Sequence, residues 1–168
     1  MKNQRSFNRD AMRFCVIFFA CILGFTGGYL FLRKSSMLNP FLIFNTDMAA
    51  LILKSFGELI QTDSTTIFSG NSSFRVISEC TSIVPTGIFV SAVIAWQSSS
   101  KEKLTGIIMG TIVLFIINMI RIITLFYIGT NFPRFFEVAH YFLWQGLVVL
   151  TVLGLWLLWT EKIVSTKY

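Results

Sequence analysis

The sequence predicts an all-α membrane protein: about four transmembrane helices, an amphipathic surface helix and a short extracytoplasmic β-hairpin. Three observations carry this. Hydrophobic residues make up 54% of the chain and charged residues only 13%, whereas a soluble domain carries about a quarter charged residues. The mean hydropathy is +0.70, so the solvent that tolerates the missing charge is lipid. The charges that are present gather at the ends of uncharged apolar runs, and those runs are long enough to cross a bilayer.

Residues 1–13 are polar and basic, and residues 14–32 then run without a charge, enough for a first span. The run is long for a signal-peptide core and no A-x-A site follows it, so a retained helix is expected. Cys15 and Cys21 lie inside it and read as small hydrophobes. Gly24 and Gly28, like Gly106 and Gly110 later, form a G-x-x-x-G pair, a spacing that lets helix backbones approach.

Residues 33–79 form an extracytoplasmic segment. Within 45–61, Met48, Leu51, Ile52, Phe56, Leu59 and Ile60 recur at helical spacing among Asp47, Lys54 and Glu58. That is the pattern of a helix lying along the membrane surface. Residues 66–77 hold two β-prone runs around Gly70-Asn71, a hairpin signal. Asn71-Ser72-Ser73 also fits a glycosylation triplet, a match frequent by chance. A second span is expected at about 80–96, a third at about 104–128 and a fourth at about 135–159. A short charged loop and a Pro-containing turn separate them. Residues 1–168 read as a single integral membrane domain.

Orientation follows from the cations. With both termini inside, Lys2, Arg5, Arg9, Arg13, Lys101, Lys103, Lys162 and Lys167 are cytoplasmic. Arg33, Lys34, Lys54, Arg75 and Arg134 are then outside, and the excess of eight over five favours this topology in the cell membrane. The same placement explains the net charge of +6 without nucleic acid as a partner. One histidine and no C-x-x-C leave no ligand set for a metal, and no cofactor motif is present.

Three residues stand out against lipid. Arg121 lies within the third apolar run, where a cation costs roughly 2.5–3.5 kcal/mol on insertion scales. Asn118 is one turn earlier on the same face and is a candidate to hold it. His140, the single histidine, opens the fourth span with Glu137 three residues before it, a candidate to orient the ring. Cys80 opens the second span beside Glu79, whose charge disfavours the thiolate unless a cation answers it. Alternating spans put the start of the second, the end of the third and the start of the fourth on one membrane face. Thiol, guanidinium and imidazole at one depth suit acyl transfer: nucleophile, charge stabiliser and proton shuttle.

The pieces Ser78-Glu79-Cys80-Thr81-Ser82, Asn118-Met119-Ile120-Arg121-Ile122 and Ala139 to Gln145, in this order, resemble the exosortase/archaeosortase family of membrane sorting enzymes. The resemblance covers roughly residues 60–160. Ser82 stands where the family often has Gly. The resemblance implies Cys80 as nucleophile, Arg121 as the cation that activates it or stabilises the oxyanion, and His140 as the third catalytic member. It implies secreted substrates whose C-termini carry a short motif, a membrane helix and a basic cluster. Cleavage is implied at the outer face, with transfer to a lipid or polysaccharide acceptor. The residues alone leave a second reading open: a non-enzymatic membrane subunit or scaffold whose Arg121 and His140 bind a partner.

Overall fold

The computed structural model describes residues 2–70 and 72–164, with side chains from residue 8 onward. Asn71 of the expected turn and glycosylation triplet lies outside the described residues, as do Lys167 and the side chains of Lys2 and Arg5. Three helices are long and apolar enough to cross a membrane: Asn8–Lys34, Ser100–Asn131 and Pro133–Val164. They belong to α1 (Lys2–Lys34), α4 (Ser100–Asn131) and α5, a continuous helical segment over Pro133–Val164. Between α1 and α4 come α2 (Asn39–Ser55), the strands β1 (Ile60–Asp63), β2 (Thr66–Ser69) and β3 (Ser72–Arg75), a 3-10 turn at Ser78–Cys80, and α3 (Ile83–Ala95).

The chain supplies its own helix signals. Ser99 and Glu102 form a reciprocal capping box, the Ser99 amide donating to the Glu102 carboxylate at 2.9 Å, and this fixes the start of α4. Pro133 follows Phe132 and ends α4, because a proline ring excludes the helical conformation from the residue before it. The Trp159 indole donates to the Glu102 carbonyl at 3.0 Å, tying the far end of α5 to the start of α4.

Two elements differ in their bounds from the expectation. The second apolar run is helical only over Ile83–Ala95, 13 residues. At 1.5 Å per residue that is about 20 Å against a hydrocarbon core of ~30 Å, so it is the shortest of the expected spans. The residues before it are used instead in the turn that carries Cys80. The amphipathic helix starts earlier than its periodicity implied, at Asn39, and Gly57 with its positive φ of 89° follows its end. Its buried face is also different: Asn45, Thr46, Ala49, Ala50 and Leu53 pack inward. Phe44 and Leu51 face out, whereas Met48 and Ile52 pack against the core beside the fully buried Leu53. Small residues on the buried face let this helix lie close against its neighbours.

The hairpin signal is met and extended. β2 and β3 pair antiparallel as expected, and β1 adds a third strand to give the order β1-β2-β3. Ile60, Ile67 and Val76 from this sheet join Ala49, Leu53, Met119, Ile122, Phe126 and Cys80 in one core cluster. A second cluster, around Phe89, Leu114, Val152 and Trp159, joins α3, α4 and α5.

The two G-x-x-x-G pairs behave differently. A methyl group on Gly110 would run into the Phe89 ring and one on Gly106 into Trp159, whereas Gly24 and Gly28 face open space. Gly110→Leu is therefore expected to destabilise the protein by about 1–3 kcal/mol through overpacking. Gly24→Leu should leave thermal unfolding in detergent unchanged; equal midpoints for both variants would refute the packing role.

Candidate active site

The Ser78–Cys80 turn is held by its own backbone. The Cys80 amide donates to the Ile77 carbonyl at 2.8 Å, and the Thr81 hydroxyl donates to the Ser78 carbonyl at 2.7 Å. Cys80 is buried, at 3% exposure, against Met119 and Ile122 of α4. Arg121 of the same helix is 4% exposed and lies within electrostatic reach of Cys80. His140 belongs to a π-helical turn over Ala139–Leu143, an irregularity often found at functional sites because it redirects one side chain. Its ring stacks on Phe136, with centroids 5.8 Å apart, and meets Tyr141 edge-on.

Cys80 and His140 line one cavity of about 450 Å3, walled by β3, Phe126 and Phe136. Arg121 lines a separate groove of about 350 Å3 that also borders the Ser78–Cys80 turn, together with Glu79, Tyr29 and Gln145. The thiol and imidazole thus share a chamber, and the guanidinium lines the neighbouring groove within electrostatic reach of the thiol.

The supporting residues divide. Asn118 is buried beside Arg121, but its Nδ2 and the Arg121 Nε both lack partners, as does the His140 Nδ1. Glu137 is exposed and leaves that Nδ1 unpaired, so the expected carboxylate–imidazole contact through it is absent. Buried polar atoms without partners are uncommon, and three of them fall on Asn118, Arg121 and His140.

Glu79 has a partner that sequence reasoning assigned only to topology. The Arg33 guanidinium meets its carboxylate at 2.8 Å, and the Ser78 hydroxyl donates to it at 2.9 Å. Burial pushes the Glu79 carboxyl up, but its own backbone amide, Ser78 and Arg33 together bring it below the usual carboxylate range. Cys80 precedes α3 and stands outside every membrane helix. Burial pushes its thiol up; the hydrogen bond at Ile77 and the Arg121 guanidinium pull it back, and Glu79 opposes them.

Three counts give the depth of the site. The uncharged run of α1 ends at Leu32, so Arg33 marks a membrane boundary and its ion pair fixes Glu79 there. About 20 residues suffice to cross the hydrocarbon core. Counted along α4 from Leu104 they reach the turn beyond Arg121, and counted back along α5 from Trp159 they reach His140. By these counts Cys80, Arg121 and His140 all fall near the same end of the apolar runs.

The chain matches the family model of the transmembrane exosortases over residues 8–161. It belongs to that family. No curated protein and no solved structure matches it. As an exosortase it is a membrane sorting peptidase or transpeptidase in general terms, and its family acts on secreted proteins with C-terminal sorting signals. Membership removes the non-enzymatic scaffold as the leading reading of the buried Arg121 and His140.

The Arg33–Glu79 pair gives this exosortase a pH signature. Because the folded Glu79 sits below its unfolded range, the pair's contribution is complete above that range and is lost as pH falls through the folded value. Both partners are about half exposed, so the contribution is at most about 1 kcal/mol. Arg33→Gln should lower the unfolding midpoint slightly at neutral pH, with the difference from wild type closing in acid. A difference that persisted in acid would exclude the ion pair as its cause.

Proposed function

We propose that this exosortase is a cysteine-type sorting transpeptidase in which Cys80, Arg121 and His140 cleave a C-terminal sorting signal at the outer face of the membrane. The observation that carries the reading is the shared chamber of Cys80 and His140, with the buried Arg121 guanidinium within electrostatic reach of the thiol. Burial favours the neutral thiol at rest, so a base has to generate the thiolate as the substrate arrives.

In this scheme His140 takes the Sγ proton while Sγ attacks the carbonyl carbon of the scissile peptide bond. Arg121 stabilises first the thiolate and then the tetrahedral oxyanion. Collapse breaks the C–N bond, and the imidazolium returns its proton to the leaving amine. The donor protein is left as a thioester on Cys80, and the departing piece is the membrane helix with its basic cluster. A nucleophile on a lipid or surface polysaccharide then takes the acyl group and frees the thiol. Asn118 limits the freedom of Arg121. Glu79, neutralised by Arg33, no longer opposes the thiolate with a full charge. Residues 8–161 act here as one membrane-embedded unit with both termini inside.

The test is processing of a secreted reporter fused to the motif, helix and basic tail of a protein from the same genome. Cys80→Ala and Cys80→Ser should abolish processing, while Cys15→Ala and Cys21→Ala, whose thiols lie on α1 away from the chamber, should process as wild type. Unchanged processing by Cys80→Ala would end the cysteine mechanism. Arg121→Lys keeps the charge but replaces a planar fork with a point ammonium. Loss of such a donor at an oxyanion costs about 100-fold or more in turnover, and near-normal turnover would remove Arg121 from contact with the reacting atoms.

A further inference from the structure

β3 is an edge strand, and its free edge faces the chamber of the proposed nucleophile. It pairs with β2 on one side only, in the order β1-β2-β3, and Ser72, Ser73, Phe74 and Arg75 all line the cavity that holds Cys80 and His140. In an antiparallel ladder each residue points both its amide and its carbonyl to one side, and successive residues alternate. The Val76 amide donates to the Thr65 carbonyl at 2.8 Å, continuing the register in which Phe74 faces Ile67 and Ser72 faces Ser69. Phe74 and Ser72 therefore bond inward to β2. The main-chain groups of Ser73 and Arg75 point outward, and no backbone group beyond the sheet pairs with them among the described residues.

We propose that this edge is the peptide-binding rail of the enzyme: the extended segment of the donor protein that precedes its membrane helix adds to β3 as a fourth strand. The proposal rests on the peptidase reading above. Main-chain groups supply such an interface with affinity whatever the side chains, and pockets for alternate side chains supply the specificity. Here the rail and the thiol share one chamber, so a strand laid along β3 passes Cys80 with its carbonyls fixed in direction. The ring of Phe74, packed edge-on against Phe126 and Phe136, closes the inner wall, and Tyr141 lines the chamber beside His140. An unpaired, uncapped edge otherwise invites aggregation, and β3 carries no proline or bulge against it.

Proline tests a main-chain contact directly. Ser73→Pro removes an outward amide, a position where an edge strand tolerates proline. Ser72, the residue before it, is already in the extended conformation that proline imposes on its neighbour. The control is Thr62→Pro: Thr62 faces Ile67 across β1 and β2, and by the same alternation its amide points outward from the opposite edge. The assay is the co-expressed secreted reporter with its motif, helix and basic tail, in a Cys15→Ala, Cys21→Ala background where protection of the buried Cys80 from N-ethylmaleimide measures an intact site. Ser73→Pro should label as wild type and process about two- to tenfold more slowly, the loss expected for one main-chain hydrogen bond. Thr62→Pro should process as wild type. Wild-type processing by a correctly protected Ser73→Pro would overturn the rail. Should that variant misfold, a proline scan of the reporter segment ahead of its helix decides instead. Sensitivity at alternate positions supports strand addition, and uniform tolerance overturns it. Failure of the wild-type enzyme to act on the reporter, or equal action by Cys80→Ala, would sink the peptidase reading itself.

Discussion

A guanidinium that is 4% exposed and has no ion-pair partner among the described residues is the constraint around which this structure is organised. An unpaired buried charge is strongly unfavourable, and near a bilayer it has less water to compensate. Arg121 is tolerated because α4 is longer than the membrane is thick. Its 32 residues extend about 48 Å, so Arg121 stands where the hydrocarbon ends and not at its middle. The Cys80 sulfur lies within its electrostatic reach and can become its counter-ion. In the proposed mechanism the cost of keeping the cation buried is relieved in the state where sulfur or oxyanion carries negative charge, which is the differential stabilisation that catalysis needs.

The remaining architecture places the thiol before that cation. The capping box, the Trp159 hydrogen bond and the close glycine contacts set α4 and α5 against each other at their far end. Arg33 anchors the Ser78–Cys80 turn to the end of α1. The sheet and α2 cover the turn from the polar side, burying Cys80 among Ile67, Val76, Leu53 and Ile122. The short α3 leaves chain for the turn: had the helix begun at Cys80, the sulfur would have followed the helical face and not the chamber. The ion pair itself contributes little stability at its exposure. Its effect is electrostatic, offsetting part of the opposition that the carboxylate beside the thiol still exerts.

Much of this was legible in the sequence, for physical reasons that also explain the misses. Hydropathy registers lipid contact, so the long helices followed from uncharged runs, and Arg121 and His140 stood out because lipid makes such residues costly. Periodicity placed α2 several residues too far along because Phe56, Leu59 and Ile60 continue the apolar spacing after the helix has ended at Ser55, while Asn45, Thr46, Ala49 and Ala50 on its buried face carry little hydrophobic signal. β1 was missed because three of its four residues are exposed and polar, which gives no alternating signal. Glu137 shares a helical face with His140 by spacing, but the π-helical turn and the stacking on Phe136 take the ring elsewhere. Arg33 carried no sequence signal for its role: a cation at the end of a span reads as topology until the fold brings Glu79 to it.

The depth of the site explains why a sorting enzyme pairs membrane helices with a small sheet. A peptide bond inside a transmembrane helix is closed to attack, since its carbonyl is hydrogen-bonded and lipid offers no replacement partner. Only at the boundary does the backbone of a tethered substrate leave its helix, and there its amides and carbonyls need new partners. Water can supply them, but without direction. An unpaired strand edge supplies them in register, and β3 stands beside the sulfur at that level. On the proposed reading the bilayer sets the depth of the scissile bond, and the sheet edge fixes its orientation. Neither element alone brings one chosen carbonyl to a buried thiol.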